Sequence, residues 1–283
     1  MKKKKPLKPF AHDLEESDLK RERRPEVAVW LDGAIPFRAE TSRGYVQGAH
    51  REYLRQLAHR QPVSVNPATP VSIETRYRYN QNFKSVYAMV PGVIMLLLML
   101  IPSMMTAVGV VREKELGSIT NLYATPVTRI EFLLGKQLPY IVVAMVSFVS
   151  LLAMALFLFR VPVEGSVAAL TVGALLYVVA STGFGLLVSS FVKTQIAAIF
   201  AAAILSIMPT INFSGFLSPV SALEAGGKLI GYGFPAGYFQ QISVGTFTKA
   251  LGFTDLLGSY LALALCSVVI LALSLALLRL QER

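Results

Sequence analysis

After about residue 84 the chain alternates long apolar stretches with short polar ones. Five windows carry no Asp, Glu, Lys or Arg, and each is 23 or more residues long: 85–111, 137–159, 165–192, 194–223 and 256–278. A helix needs about 20 residues to cross a hydrocarbon core of ~30 Å, so every window is long enough. Barrel strands are shorter and alternate apolar with polar positions, which this chain does not do. The pattern predicts an α-helical integral membrane protein with five spanning helices.

The windows also predict where the spans lie. We expect spanning helices over about 87–111, 137–159, 167–192 and 256–278. The fourth window is longer than one span, and Pro209 lies inside it. Because proline removes a helical N–H and clashes with the preceding turn, we expect that helix to cover 194–208 only. An outer hairpin should follow to residue 223, and the irregular region should continue past Pro235.

The part of the chain before the first window has a different pattern. The stretch "VAVWLDG" reads as a strand and turn, residues 40–59 show helical spacing of apolar positions, and residues 71–80 alternate apolar with polar. This predicts a small partial α/β domain over residues 25–84. Residues 1–24 are mostly charged and lack the apolar core of a signal peptide, so we expect a disordered tail.

The distribution of basic residues predicts the orientation in the membrane. The chain carries a net charge of +10. One set of loops holds three basic residues, Arg160, Lys228 and Lys249, and the other holds seven: Arg112, Lys114, Arg129, Lys136, Lys193, Arg279 and Arg283. The richer side is expected to be cytoplasmic, and it includes the C-terminus. Five spans then place residues 25–84 outside the cytoplasm, and a sixth helix upstream of Met1 would explain their export.

The segment "VREKELGSITNLYATPVTRIEFLLGKQ" joins the first two spans and is highly polar. Leu116, Ile119 and Tyr123 share one helical face, and charged residues 112–115 crowd its start, which predicts a short amphipathic helix at the cytoplasmic mouth. Pro126 interrupts this helix, and the following "TRIE" is a capping box that starts the next one. The residues alone leave two uses open with equal weight: contact with a protein partner, or contact with lipid headgroups.

Other motifs give little direct chemistry. Ser181, Gly185 and Ser189 form a small-xxx-small ridge, for which packing within the chain is favoured over a subunit face. "AGGKL" lacks the first Gly and the Ser or Thr of a nucleotide-binding loop. Catalytic triads, paired buried carboxylates and metal-ligand clusters are not found. The sequence therefore predicts no enzymatic site and no cofactor held by this chain.

Several stretches, in the same order, resemble one family. "VREKELGSITNLYATPVTRIEFLLGKQLPYI" is similar to the cytoplasmic segment of ABC-2-type transporter permeases. "VWLDGAIPFRAETSRGYVQGAH", "IETRYRYN", "TQIAAIFAAAI" and "FSGFLSPVSALE" resemble, more narrowly, the C-terminal membrane portion of the bacterial ribosome-associated ATPase/transporter (RbbA-like) proteins. The similarity covers about residues 25–283 and leaves residues 1–24 without a match.

The resemblance implies a fold and a set of site residues. The fold is the six-helix ABC-2 permease fold, which here lacks its first helix. The polar segment becomes a coupling helix that seats in a cytoplasmic ATPase, and its residues are Arg112, Glu113, Lys114, Glu115, Leu116, Gly117, Ile119 and Tyr123. The resemblance also implies a bent extracellular hairpin that contains Pro209, Gly215, Pro219 and Pro235.

The function implied is that of a permease subunit of an ATP-driven exporter in the bacterial inner membrane. Its expected partners are a cytoplasmic ABC ATPase that binds ATP and magnesium, a second permease copy or paralogue, and membrane lipid. Two alternatives stay open. The chain would be a membrane anchor for a ribosome-associated ATPase without solute transport, or a truncated remnant of such a gene. Association with the ribosome would then be indirect, and no direct contact with nucleic acid is expected.

Overall fold

The computed structural model describes residues 27–32, 36–60, 73–78, 85–117, 129–217, 220 and 223–281. The chain divides into two compact units, residues 1–83 and 84–283. In the first unit, strand β1 (Val27–Asp32) and strand β2 (Ile73–Arg78) pair in parallel. Parallel strands need a crossover connection, and helix α1 (Pro36–Arg60) lies between them in the chain. The predicted strand–helix–strand order is present, and its extracytoplasmic location stays a prediction.

The second unit is helical in its described part. Its elements are α2 (Ser85–Glu115), α3 (Arg129–Ala153) with a π-helical turn (Met154–Leu158), α4 (Val167–Phe191), α5 (Gln195–Phe213), α6 (Ala225–Gly233), α7 (Pro235–Thr248) and α8 (Leu257–Gln281). Five helices of the described residues are long and apolar enough to cross a membrane, over Met89–Glu115, Leu133–Leu158, Val167–Phe191, Gln195–Phe213 and Leu257–Leu277. The predicted five-span architecture is confirmed.

Two predicted boundaries are wrong. Arg112 does not start a separate helix, because residues 112–115 form the last turn of α2. Arg, Glu and Lys are good helix formers and do not stop a helix. The helix stops instead before Gly117, whose φ of 69° lies in the left-handed region.

The other wrong boundary lies in α5. Pro209 lies inside this helix, which continues to Phe213 and ends before the turn at Gly215, where φ is 91°. A spanning helix tolerates an internal proline because neighbouring groups satisfy the freed backbone. The region past Pro235 is also helical rather than irregular, since Pro235 is at the first position of α7, where its missing N–H costs nothing.

Helix α4 is the centre of the bundle, and α2, α3, α7 and α8 pack around it. Its Tyr177 is fully buried, stacks on Phe239 of α7 with ring centroids 4.4 Å apart, and donates its hydroxyl to Met95 O of α2 at 3.1 Å. From α8, Tyr260 donates to Ala169 O at 2.8 Å. Aromatic rings with one polar atom thus fix three neighbours onto α4.

The bundle has two ends, named here by one residue each. At the Leu116 end lie the ends of α2 and α4 and the starts of α3 and α5. At the Arg160 end lie the segment between α3 and α4, the end of α7 and the start of α8. Helices α6 and α7 meet at Phe234, whose ring packs edge-on against Phe184 of α4 at 5.6 Å. The α6–α7 corner therefore enters the bundle, and α7 returns to the Arg160 end.

Candidate functional site

Three consecutive charged residues at the end of α2 each contact a different later helix. Glu113 forms an ion pair with Lys136 on α3. Lys114 donates from Nζ to Ser189 O in the last turns of α4 at 2.8 Å. Glu115 accepts, through Oε1, the backbone N–H of Gln195 at the start of α5 at 2.8 Å, and its Oε2 accepts from the Gln195 side chain. We call this set the α2 clasp: Glu113, Lys114, Glu115 and their partners Lys136, Ser189 and Gln195.

The rest of the predicted coupling segment adjoins the clasp. Arg112 is exposed, and Leu116 is 68% exposed although it is apolar. The turn after α2 is closed by backbone hydrogen bonds from Leu116 N–H to Arg112 O and from Gly117 N–H to Lys114 O. Ile119 and Tyr123 lie outside the described residues. The charges at residues 113–115 therefore contact the chain's own helices, and the contact with an ATPase that the family resemblance implies for this segment stays a prediction.

The predicted small-residue ridge lies against α2 inside the chain. Ser181, Gly185 and Ser189 are all buried. A Cβ on Gly185 would lie 2.3 Å from Ser103 O, so only glycine permits this approach. Ser103 also shares a hydrogen bond of 2.8 Å with Ser206 of α5. Ser103 thus brings α2, α4 and α5 together at a level deeper in the bundle than the clasp.

Sequence reasoning did not single out Gln137. It is 1% exposed, and its Nε2 donates to Val179 O and to Thr182 Oγ1, both at 2.8 Å. These bonds attach α3 to α4 one residue beyond Lys136. A polar residue at the edge of an apolar window was the available signal, but nothing local indicated its partners.

The residues predicted to form the outer hairpin lie, where the structure describes them, in three different elements away from the clasp. Pro209 lies inside α5, Gly215 forms the turn after α5, and Pro235 begins α7. Pro219 lies outside the described residues. The residue next to Gly215, Phe216, packs its ring against Gly92 near the start of α2. These residues do not assemble with the clasp.

Over the residues that the structure describes, no group of three or more His, Cys, Asp or Glu is arranged to hold a metal ion. The concentration of paired charge at the Leu116 end is therefore the feature of the described bundle with the clearest candidate role.

These features define a multi-pass α-helical membrane protein whose helices are linked by polar contacts at one end. Residues 10–276 match the family described as ABC-2 family transporter protein, and the chain belongs to that family. The match begins at residue 10, so the expectation that residues 1–24 lack a match is wrong for residues 10–24.

Named relatives give the same class. The chain is 30% identical to "Probable multidrug ABC transporter permease YbhS" of Escherichia coli over 75% of this chain and 56% of that protein. It is 28% identical to "Probable multidrug ABC transporter permease YbhR" of Escherichia coli, over 77% and 58%. It is 26% identical to "Inner membrane transport permease YhhJ" of Escherichia coli, over 85% and 64%. The chain thus spans between half and two thirds of these relatives, and no solved structure matches it.

Proposed function

We propose that this chain is the membrane subunit of an ABC-2-type exporter driven by a separate cytoplasmic ATPase. Membership of the family, the five spanning helices and the permease names of the relatives support the proposal. ATP and magnesium would be bound by the ATPase, and a second copy or a paralogue would complete the membrane part. The narrower likeness to the ribosome-associated proteins belongs to this proposal as well.

The observation that carries the proposal is the position of the exposed Leu116. This apolar side chain leaves the bundle immediately after three residues that are attached to α3, α4 and α5. A protein that binds Leu116 would therefore be connected, through the end of α2 and its contacts, to four spanning helices: α2, α3, α4 and α5. Apolar residues buried in a polar rim are typical anchors of protein interfaces. We assign the ATPase contact to Leu116 and to the following residues, including Ile119 and Tyr123.

The experiment is co-purification of candidate ATPases with the tagged chain. Leu116→Asp should lower ATPase recovery about tenfold, the loss expected for an interface anchor. Leu229→Asp is the matched control, because Leu229 is an equally exposed leucine on α6. Undiminished recovery with Leu116→Asp would remove the coupling role.

The proposed orientation has its own test. After Cys266→Ser removes the one cysteine of the chain, single cysteines are placed at Leu116 and at Thr254, which is exposed just before α8. An impermeant maleimide added to intact cells should label Thr254→Cys and should label Leu116→Cys only after permeabilisation. The reverse pattern would contradict a cytoplasmic Leu116 end.

The second candidate is a membrane anchor for a ribosome-associated ATPase, which the resemblance of the sequence favours. The two candidates differ in whether ATP hydrolysis moves a solute. Because the names of two relatives include the word multidrug, the first substrate to try is a drug-like lipophilic cation, for example ethidium, in vesicles that contain the chain and its ATPase. ATP-dependent ethidium movement supports the exporter. Retained ATPase binding and ribosome sedimentation without any movement would favour the anchor.

A further inference from the structure

The turn between α4 and α5 is very short, and two clasp residues contact its two sides. Helix α4 ends at Phe191 and α5 begins at Gln195, so only residues 192–194 connect them. Lys114 binds the backbone before this turn, at Ser189 O. Glu115 binds the backbone after it, at Gln195 N–H. The two sides of one turn are thus bound by neighbouring residues of a third helix.

The signs of these charges match the helix ends that they contact. The last four carbonyls of a helix and its first four N–H groups have no partner within the helix, and they carry partial negative and positive charge respectively. Lys114 places a cation at the carbonyl end of α4, and Glu115 places an anion at the N–H end of α5. Consecutive residues of a helix point in different directions. Lys114 can therefore reach the end of α4 while Glu115 reaches the start of α5, on the other side of the turn.

The same three helices are linked again deeper in the bundle. Ser103 of α2 shares a hydrogen bond with Ser206 of α5, and its carbonyl lies against Gly185 of α4. Ser103 precedes Lys114 by about three helical turns. One link alone would leave α4 and α5 free to pivot against α2. Two links at separate levels hold the three helices in one orientation.

We propose that Lys114 and Glu115 are positioning residues that fix the α4–α5 turn to the end of α2. A displacement of the segment that begins at Leu116 then moves α2, α4 and α5 as one body. This consequence rests on the proposed function, because the ATPase supplies the displacement. The attachment itself does not depend on an ATPase and can be tested without one.

The first test exchanges the two charges. The variant Lys114→Glu/Glu115→Lys keeps net charge and composition but places each charge at the helix end of like sign. In the full chain in lipid nanodiscs, amide hydrogen exchange of the peptide 192–200 should become about tenfold faster, the loss expected when a charged hydrogen bond to backbone is removed. Unchanged exchange would overturn the attachment.

Two further variants keep this test decisive. Arg51→Glu/Glu52→Arg reverses an adjacent basic–acidic pair on the exposed surface of α1 and should leave peptide 192–200 unchanged. If the exchanged-charge protein does not fold, Glu115→Ala replaces it, because alanine removes only the acceptor for Gln195. If peptide 192–200 exchanges as slowly in Glu115→Ala as in the wild type, the proposal is equally overturned.

The second test adds the ATPase and a non-hydrolysable ATP analogue. In the wild type, exchange of peptide 192–200 should change when the nucleotide binds, and in the exchanged-charge variant it should not change although the ATPase still binds. A response of equal size in both proteins would overturn the transmission role. Failure of any ATPase to bind the wild type would count against the proposed function and would leave the first test standing.

Discussion

The two ends of the bundle are held together by different chemistry. At the Leu116 end, long charged side chains reach from α2 to α3, α4 and α5. At the Arg160 end, backbone meets backbone: Gly165 N–H donates to Thr246 O at 2.9 Å, and Glu164 N–H donates to Phe247 O at 3.4 Å. The first kind of contact uses flexible side chains, and the second uses the rigid chain itself.

This difference indicates which end can change its arrangement. The Glu113–Lys136 pair joins two long and part-exposed side chains, so it can exchange partners at low cost and its attraction weakens with salt. Two backbone segments in direct contact have no such freedom, because interiors are close-packed. We therefore expect the Arg160 end to behave as a fixed frame and the Leu116 end to adapt when a partner binds.

The largest expected effect is at the Arg160 end. A Cβ on Gly165 would lie 2.8 Å from Leu251 O and 3.0 Å from Thr246 O, and both atoms are backbone. Gly165→Ala must therefore separate the two segments, and we expect it to destabilise the protein by about 2–3 kcal/mol. The measurement is the midpoint of thermal unfolding in detergent, followed by size-exclusion fluorescence.

The matched control is Gly135→Ala on α3 near the Leu116 end. A Cβ at Gly135 meets nothing within 4 Å. Alanine there replaces glycine inside a helix, so stability should stay equal or rise by up to about 1 kcal/mol. Equal losses for Gly165→Ala and Gly135→Ala would contradict a fixed frame at the Arg160 end.

The second prediction compares two glycines of α2 that lie near opposite ends. A Cβ on Gly92 would lie 2.0 Å from the ring of Phe216, and a Cβ on Gly109 would lie 1.9 Å from the hydroxyl of Tyr140. The Phe216 ring packs against the buried core, whereas the Tyr140 hydroxyl is the far end of a side chain that can turn away. We expect Gly92→Ala to cost about 1–2 kcal/mol and Gly109→Ala less than about 1 kcal/mol. An equal or reversed order would show that the turn at Gly215, which carries Phe216, moves as easily as the Tyr140 side chain.

The five spans were predictable because lipid demands long charge-free windows, and this demand acts on each window alone. The ends of the helices were less predictable, because they depend on single residues. The backbone chemistry of proline predicts a break at Pro209, but α5 continues past it to Phe213. The sequence predicts a helix that runs through Gly117, whereas the left-handed backbone of Gly117 ends α2.

The partners within the clasp could not be predicted from the sequence. Glu115 and Gln195 are far apart in the chain, and neither residue has a periodicity that points to the other. The sequence located the polar segment, and only the family resemblance implied that its charges lie at the rim of a contact with an ATPase. The fold assigns three of them to neighbouring helices, because helix ends leave backbone groups that a charge can satisfy.

The third prediction concerns the turn that ends α2. Gly117 has a φ of 69°, and a Cβ there meets nothing within 4 Å, so backbone strain is the expected cost of substitution. Gly117→Ala should cost about 1 kcal/mol, and Gly117→Asn should cost less because Asn tolerates this conformation. Amide exchange of residues 112–117 should report the fraying directly. Identical behaviour of the Ala and Asn variants would show that the left-handed turn is not what ends the helix.

The smallest effect, and the one that separates the two ends most directly, is the response to salt. The side chains of Lys136 and Glu113 are 34% and 27% exposed, so their ion pair is partly screened and should contribute about 0.5–1 kcal/mol. Glu113→Gln, Lys136→Gln and the double variant form a cycle that isolates this coupling. Raising salt from about 0.1 M to about 1 M shortens the screening length from about 10 Å to about 3 Å and should remove most of the coupling.

The loss caused by Gly165→Ala should not depend on salt, since it arises from steric overlap between backbone atoms. If the coupling persists at high salt, the Glu113–Lys136 pair is as inaccessible to ions as the packed backbone of the opposite end. The contrast between an adaptable end and a fixed end would then fail.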